Sequence, residues 1–166
     1  MLFLPGMAAA APLIAIAATN GVPGTTVQVP VLLATDTNLL SAEFDLRFNS
    51  KSLTASPPVA GDAVADHMVA SCEVKSGVLR VAINSFSHAQ LKDGVLVFVP
   101  MTIATNAFLG KETLVFTNVA LFGAGKDPVR PISIMNGTLT IMKPVHIGMA
   151  VTNAAAQGEA HGVAAE

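Results

Sequence analysis

Short runs of apolar residues, each closed by Gly, Pro, Asn or Asp, recur along almost the whole chain. In the clearest run, SAEFDLRF, four apolar residues (Ala42, Phe44, Leu46 and Phe48) alternate with four polar ones (Ser41, Glu43, Asp45 and Arg47). Alternation places successive side chains on opposite faces of a strand, whereas almost no segment shows helical periodicity. The pattern predicts an all-β fold. In this strand it predicts Phe44, Leu46 and Phe48 in the core and the charged row facing outward.

Other segments of the same character predict further strands: Leu13 to Ala17, Val27 to Leu33, Val78 to Ile83, Val95 to Ile103, Leu114 to Phe122, Ile132 to Met135 and Thr138 to Met142. Roughly eight or nine regularly spaced strands favour a two-sheet antiparallel sandwich. Turns are predicted at Asn20 to Gly24 and at Asn136-Gly137. Pro30 indicates an edge position or a bulge, because proline cannot donate to a ladder. Val95 to Ile103, apolar on both faces, predicts a central strand.

The remaining parts of the chain divide it into one domain and two ends. Thr54 to Glu73 is predicted as an irregular crossover with one helical turn near Ala63 to His67. Residues 1–11 are apolar and stop at small residues, which favours a signal-peptide remnant over a simple apolar arm. Residues 12–142 form the predicted sandwich, and the Ala/Gly-rich residues 143–166 are predicted to be a disordered tail or linker. A signal-peptide remnant would indicate a secreted protein.

Composition excludes several classes of function. The formal net charge is −2 and no Lys/Arg cluster is present, which argues against nucleic-acid binding. No apolar run approaches the roughly 20 residues of a spanning helix, so the chain is not expected to be membrane-embedded. The single cysteine, Cys72, excludes an intramolecular disulfide and a cysteine-based zinc site. Cys72 is predicted to be a small buried apolar residue.

Candidate chemical sites are few. Asp62, Asp66 and His67 form the nearest approach to a ligand cluster, but their spacing matches no EF-hand loop. Glu43 and Asp45 share a strand face and could form an acid/base pair, yet a solvated face explains the same pattern. No nucleophile motif and no phosphate-binding loop is present. We therefore predict neither catalytic nor metal-binding residues, and no cofactor.

Aromatic residues bear on sugar binding, which usually relies on exposed Trp or Tyr rings. The chain has no Trp and no Tyr, and its eight aromatic residues are all Phe. Phe86, Phe98 and Phe108 could be exposed, but each is interpreted as a core residue. Composition therefore disfavours an aromatic sugar-binding platform.

Six fragments occur in a particular order: PGTTVQVPVLL (Pro23 to Leu33), SAEFDLRFNSKSLTA (Ser41 to Ala55), AGDAV (Ala60 to Val64), SGVLRVAINS (Ser76 to Ser85), LKDGVLVFVPMTI (Leu91 to Ile103) and NGTLTI (Asn136 to Ile141). In this order and spacing the chain resembles a cohesin domain, the receptor module of cellulosomal scaffoldins. The likeness extends over about Leu13 to Met142.

The resemblance implies a nine-stranded jelly-roll β-sandwich of two antiparallel sheets, extracellular and without catalytic activity. It also implies a dockerin-bearing partner, which carries its own calcium and belongs to a polysaccharide-degrading assembly. The partner is expected on a flat sheet face built from the strands that match Ser41 to Phe48 and Val78 to Ser85. The predicted contact residues are Ser41, Glu43, Asp45, Arg47, Arg80, Ala82, Asn84 and Ser85.

A second function stays open at this point. Many carbohydrate-binding modules share the sandwich fold, so the alternative is a carbohydrate-binding domain with a polysaccharide as its partner. Only the similarity of fold supports this carbohydrate-binding alternative.

Overall fold

A computed structural model describes residues 10–125 and 127–144 of the 166-residue chain. The described residues form one short 3-10 helix, Asp62–Val64, and twelve strands: β1 (Leu13–Ile16), β2 (Thr19–Gly21), β3 (Thr26–Ala34), β4 (Ser41–Arg47), β5 (Leu53–Ala55), β6 (Val59–Ala60), β7 (Met68–Lys75), β8 (Val78–Asn84), β9 (Gly94–Ile103), β10 (Gly110–Phe122), β11 (Ser133–Met135) and β12 (Gly137–Ile141). The predictions for residues 1–11 and 143–166 fall almost entirely outside the described part.

The strands form two six-stranded sheets that enclose one apolar core. The first sheet has the order β11-β1-β3-β9-β5, with β6 also paired to β9, and the second has the order β2-β12-β10-β4-β8-β7. Phe44 and Leu46 are fully buried between the sheets, and Phe48 is 8% exposed. The predicted all-β sandwich and these three core positions are confirmed. The described sheets contain more strands than predicted because short strands accompany the long ones.

Both ends of the domain cross from one sheet to the other. β1 pairs with β11 in the first sheet and β2 pairs with β12 in the second, and both of these pairings are parallel. A side chain at Gly137 would collide with the side chain and carbonyl of Ile16, so the crossing needs a residue without a Cβ atom. The predicted hairpin turn at Asn136-Gly137 is therefore wrong, because the chain changes sheet there. Thr19–Gly21 is likewise a strand, and the following turn begins only after it.

Pro30 and the apolar run Val95 to Ile103 each gave a prediction about a long strand. β3 pairs with β9 along most of its length, whereas its ladder to β1 covers Val31 to Ala34 and ends next to Pro30. Pro30 pairs regularly with Phe98, and the register shift between Val31 and Leu32 places the bulge on β9, where Leu96 is the extra residue. β9 pairs with β3 on one side and with β5 and β6 on the other, as predicted for a central strand.

The segment Thr54 to Glu73 is more regular than predicted. The helical turn is the 3-10 helix Asp62–Val64, and Met68–Lys75 is an eight-residue strand. β7 pairs with β8 on one side and ends the order of the second sheet, so most of its side chains are exposed. Cys72 lies on this strand and is exposed, so the prediction that it is buried is wrong. The described residues contain no helix that is long and apolar enough to cross a membrane.

Candidate functional site

The outer face of the second sheet brings the predicted contact residues together. β4 and β8 are antiparallel, and Glu43 lies opposite Ala82 while Asp45 lies opposite Arg80. Side chains that are directly opposite on one face of a sheet are neighbours, with Cβ atoms about 5 Å apart. Seven predicted residues therefore share this face: Ser41, Glu43, Asp45, Arg47, Arg80, Ala82 and Asn84.

Ser85, the eighth predicted residue, lies one position beyond the end of β8. Its hydroxyl Oγ accepts a hydrogen bond of 2.9 Å from the backbone N–H of Ala89. The Ser85 side chain therefore fixes the loop that follows the strand, and its part in partner binding stays a prediction.

Asp45 and Arg80 form the central charge pair of the face. Arg80 Nε donates to Asp45 Oδ1 at 2.7 Å and Arg80 Nη2 donates to Asp45 Oδ2 at 2.9 Å. Asn118 Nδ2 adds a long contact of 3.5 Å to Oδ2 from β10, where the ladder to β4 shifts register. These neighbours leave Asp45 only 7% exposed. Asp45 lies on the outward face as predicted, but it is not exposed to solvent, because the guanidinium covers its carboxylate.

The bidentate geometry sets the charge state of the pair. Hydrogen bonds from Arg80 lower the pKa of the Asp45 carboxyl below its usual range, and burial of the carboxyl opposes this effect. The same hydrogen bonds raise the pKa of Arg80. Both groups therefore stay ionised at neutral pH, and Arg80 is held in one orientation on the sheet.

Glu43 differs from Asp45 although the two residues share a face. Its carboxylate Oε1 is 3.6 Å from Arg80 Nε, and its side chain is 40% exposed. Within the described residues Glu43 accepts no side-chain hydrogen bond of the kind that satisfies Asp45. Glu43 thus keeps acceptor capacity for a group outside the domain.

The structure adds residues to this face that the sequence did not suggest. β7 extends it with Met68, Ala70 and Cys72, which lie opposite Asn84, Ala82 and Arg80. Because β7 was predicted as irregular, its small alternating residues were not recognised as part of a face.

Two of the three phenylalanines interpreted as core are exposed. Phe86 is 83% exposed in the loop after β8, and Phe108 is 89% exposed before β10. Phe98 is half-buried on β9. For Phe86 a signal was present in the sequence, since the ring stands between two serines in the polar stretch NSFSHAQ.

Within the possible ligand cluster of Asp62, Asp66 and His67, Asp62 makes a structural hydrogen bond. Asp62 Oδ1 accepts a hydrogen bond of 2.8 Å from the backbone N–H of Val95, which ties the 3-10 helix to β9. The described residues contain no group of three side chains arranged to hold a metal ion.

The charge pair predicts a defined dependence of stability on pH. Because the pKa of Asp45 is lower in the folded chain than in the unfolded one, its contribution is present above about pH 4 and is lost as pH falls through the folded-state pKa. In thermal unfolding followed by circular dichroism, the difference in Tm between the wild type and Asp45→Asn should be constant near neutral pH and should shrink toward about pH 2. A difference that persists unchanged in acid would contradict the role of the ionised carboxylate.

Comparison with known proteins identifies the architecture. The family model of the cohesin domain matches residues 13–141. Among solved structures, the OlpA cohesin of Clostridium thermocellum in complex with a dockerin is 22% identical, with a TM-score of 0.72 over 80% of this chain and 100% of that one. The sixth cohesin of Acetivibrio cellulolyticus scaffoldin B, in complex with the Cel5 dockerin, is 20% identical, with a TM-score of 0.71 over 80% and 100%.

A third similar structure is the non-cellulosomal cohesin of the archaeon Archaeoglobus fulgidus, which is 19% identical with a TM-score of 0.69 over 81% of this chain and 93% of that one. The comparison with curated proteins gave no match. The structural likenesses establish the jelly-roll sandwich, and the family model covers most of the chain. The chain therefore belongs to the cohesin domain family.

Proposed function

We propose that this domain is a non-catalytic receptor for a dockerin-bearing protein. The partner docks on the outer face of β4 and β8, which carries Ser41, Glu43, Arg47, Ala82 and Asn84 around the Asp45–Arg80 pair. The observation that carries the proposal is the position of Glu43, a half-exposed carboxylate beside an immobilised guanidinium on an uncovered sheet face of a cohesin domain. The domain acts outside the cell, and the calcium required for binding belongs to the dockerin.

Pre-organisation of the face supports this proposal. Arg80 is already held by two hydrogen bonds to Asp45, so little side-chain entropy is lost when a partner contacts it. The strands themselves are fixed by an unbroken seven-residue ladder between β4 and β8. A pre-organised face of this kind suits a folded partner better than a flexible peptide.

Isothermal titration calorimetry against a panel of purified dockerins tests the proposal. The panel should include the dockerins of the Clostridium thermocellum and Acetivibrio cellulolyticus complexes and dockerins from the source organism, each with calcium and with EDTA. Binding of at least one dockerin, lost in EDTA, is the expected result. Failure of every dockerin to bind would overturn the proposal.

Glu43→Ala should weaken dockerin binding by about tenfold, because the face loses its unsatisfied carboxylate. Its Tm should change by less than about 2 °C, since Glu43 contributes little to the fold. Gln28→Ala is the matched control: Gln28 has the same length and is exposed on β3 of the opposite sheet. Equal affinities for Glu43→Ala and the control would show that the partner does not use this face.

The carbohydrate-binding alternative would need an aromatic platform. Phe86 follows the end of β8, next to Ser41, whereas Phe108 precedes β10, beyond the Arg47 end of β4. The two exposed rings therefore lie at opposite ends of the sheet and cannot stack one sugar chain together. A screen for saturable binding to polysaccharides would test this alternative directly.

A further inference from the structure

The loop between β9 and β10 holds two large apolar side chains out in solvent. Phe108 is 89% exposed, and Leu109 beside it is 57% exposed. Before this pair, Ala107 packs against the core and its backbone N–H donates to the carbonyl of Ala104 at 3.0 Å. After the pair, Gly110 has a φ of 138°, which residues with a side chain rarely adopt. The loop is therefore fixed on both sides of the two exposed side chains.

A third exposed apolar side chain lies at the same end of the sandwich. Gly110 is opposite Ile141 in the antiparallel β10–β12 ladder, so Met142 continues the register beside Leu109. Met142 is exposed as well. We call this group the apolar tip; its residues are Phe108, Leu109 and Met142.

Exposed lysines surround the apolar tip. Lys111 follows the loop on β10, and Lys143 follows Met142. Lys51 is at the same end, because the β4–β5 loop that holds it accepts a hydrogen bond of 2.9 Å from the backbone N–H of Ala104. Among the described residues none of these lysines forms a salt bridge. Their charges are therefore available to an anionic partner.

The charged residues of the described chain are unevenly distributed between the two ends of the sandwich. Basic residues outnumber acidic ones at the end of the tip, where the charged residues are Arg47, Lys51, Lys75, Lys111, Lys143, Glu73 and Glu112. Acidic residues outnumber basic ones at the opposite end, where they are Asp36, Asp62, Asp66, Asp93, Asp127, Lys92 and Arg130. Phe86 is exposed at that acidic end. The two exposed phenylalanines therefore have surroundings of opposite charge.

We propose that the apolar tip inserts into the surface of a bilayer that contains anionic lipids, with Lys51, Lys111 and Lys143 facing the headgroups. Side chains such as Phe and Leu bury apolar area at the boundary of headgroups and acyl chains, and lysines are attracted to anionic headgroups. A soluble polyanion would use the lysines but would leave Phe108 and Leu109 in water. The domain lies on the bilayer surface and does not cross it.

This arrangement leaves the proposed docking face accessible. The tip is at one end of the strands, whereas the outer face of β4 and β8 runs along their length. A domain held by its tip therefore presents that face sideways, above the bilayer. Membrane binding is independent of the dockerin function and adds a second surface to the domain.

The first test places a fluorophore in the tip. The chain has no Trp and no Tyr, so Phe108→Trp introduces a single indole without background emission. With vesicles of equal parts phosphatidylcholine and phosphatidylglycerol, its emission should shift to shorter wavelength and should be quenched by brominated acyl chains. Phe86→Trp is the matched control at the acidic end and should show neither effect. Emission of Phe108→Trp that the vesicles leave unchanged would overturn the proposal.

The second test measures co-sedimentation of the full chain with the same vesicles. The double variant Phe108→Ala with Leu109→Ala should lower vesicle affinity by about tenfold or more, whereas Phe86→Ala should leave it unchanged. Lys51→Glu with Lys111→Glu should lower it by about 30-fold, and Lys92→Glu, a lysine of the other end, should have little effect. Circular dichroism of each variant verifies that the fold is retained.

The outcomes separate insertion from other kinds of contact. Loss of binding in the lysine variant alone, with the double alanine variant unaffected, would show a purely electrostatic contact and overturn the proposal. Equal affinity of the wild type for vesicles of phosphatidylcholine alone would overturn the role of the lysines. Vesicle binding that neither variant changes would assign it to another part of the chain. Wild-type protein that binds no vesicles also overturns the proposal, and the dockerin function, which calorimetry tests separately, stays unaffected.

Discussion

Phe44→Ala is expected to lower the free energy of unfolding by about 3–5 kcal/mol, the usual cost of truncating a buried phenylalanine. Phe44 is fully buried, and its ring packs edge-on against Phe116, with centroids 5.3 Å apart and an interplanar angle of 83°. The two residues belong to neighbouring strands, β4 and β10, so the cavity would loosen the sheet directly behind the proposed docking face. In thermal unfolding, Tm should fall by about 10 °C for a domain of this size.

Phe86→Ala provides the matched control for this experiment. It removes the same side chain from a site that is 83% exposed, so Tm should change by less than about 2 °C. Equal losses of stability in the two variants would show that Phe44 does not belong to the core. The control also reports on binding, because Phe86 stands at the Ser41 end of the face and its loss reveals whether the partner reaches that far.

The strands that face the core on one side were predictable from alternation. In β4 every second residue is apolar, and this signal correctly located Phe44 and Leu46 between the sheets. β9 was recognised by its nearly continuous apolar run, in which Val99, Met101 and Ile103 are buried in the core and Phe98 and Pro100 on the other face are half-buried. Strands whose side chains pack in the core keep a regular pattern of apolar residues in the sequence, and β4 and β9 are strands of this kind.

The edge and crossing strands left no such pattern. β7 pairs with a strand on one side only and exposes most of its side chains. Its residues therefore need not be apolar, and its sequence resembles that of a loop. The crossing at Gly137 resembles a hairpin turn in sequence because glycine serves both purposes. Here glycine is needed because the backbone at position 137 lies close to Ile16, which is 121 residues earlier in the chain. Contacts of such long range cannot be inferred from a local pattern.

The shared sheet face of the candidate residues could be predicted from the sequence, whereas the pairing of Asp45 with Arg80 could not. Alternation and the cohesin resemblance correctly placed Glu43 and Asp45 on one strand face. The burial of Asp45 depends on the register that sets it opposite Arg80, and on a third strand that brings Asn118 near. The two carboxylates therefore have different roles although they share one strand face. Asp45 is paired with Arg80 within the face, and Glu43 is available at its surface.

Arg80→Glu should abolish dockerin binding, with a loss in affinity of about 100-fold or more. The substitution removes the guanidinium that holds Asp45 and places a third carboxylate beside Asp45 and Glu43. Like charges directly opposite in a ladder repel, and Asp45 would lose both hydrogen bonds from the guanidinium. Tm should fall by roughly 5 °C as well. Calorimetry and thermal unfolding of the same sample separate the two effects.

The double variant Asp45→Arg with Arg80→Asp distinguishes a structural role of the pair from a role in recognition. It restores a carboxylate–guanidinium pair in the same ladder position, so Tm should recover most of the loss. Binding should stay weak, because the two charges have exchanged places on the proposed docking face. If Arg80→Glu lowers Tm but leaves dockerin affinity intact, the pair stabilises the sheet alone, and the partner docks on another part of the domain.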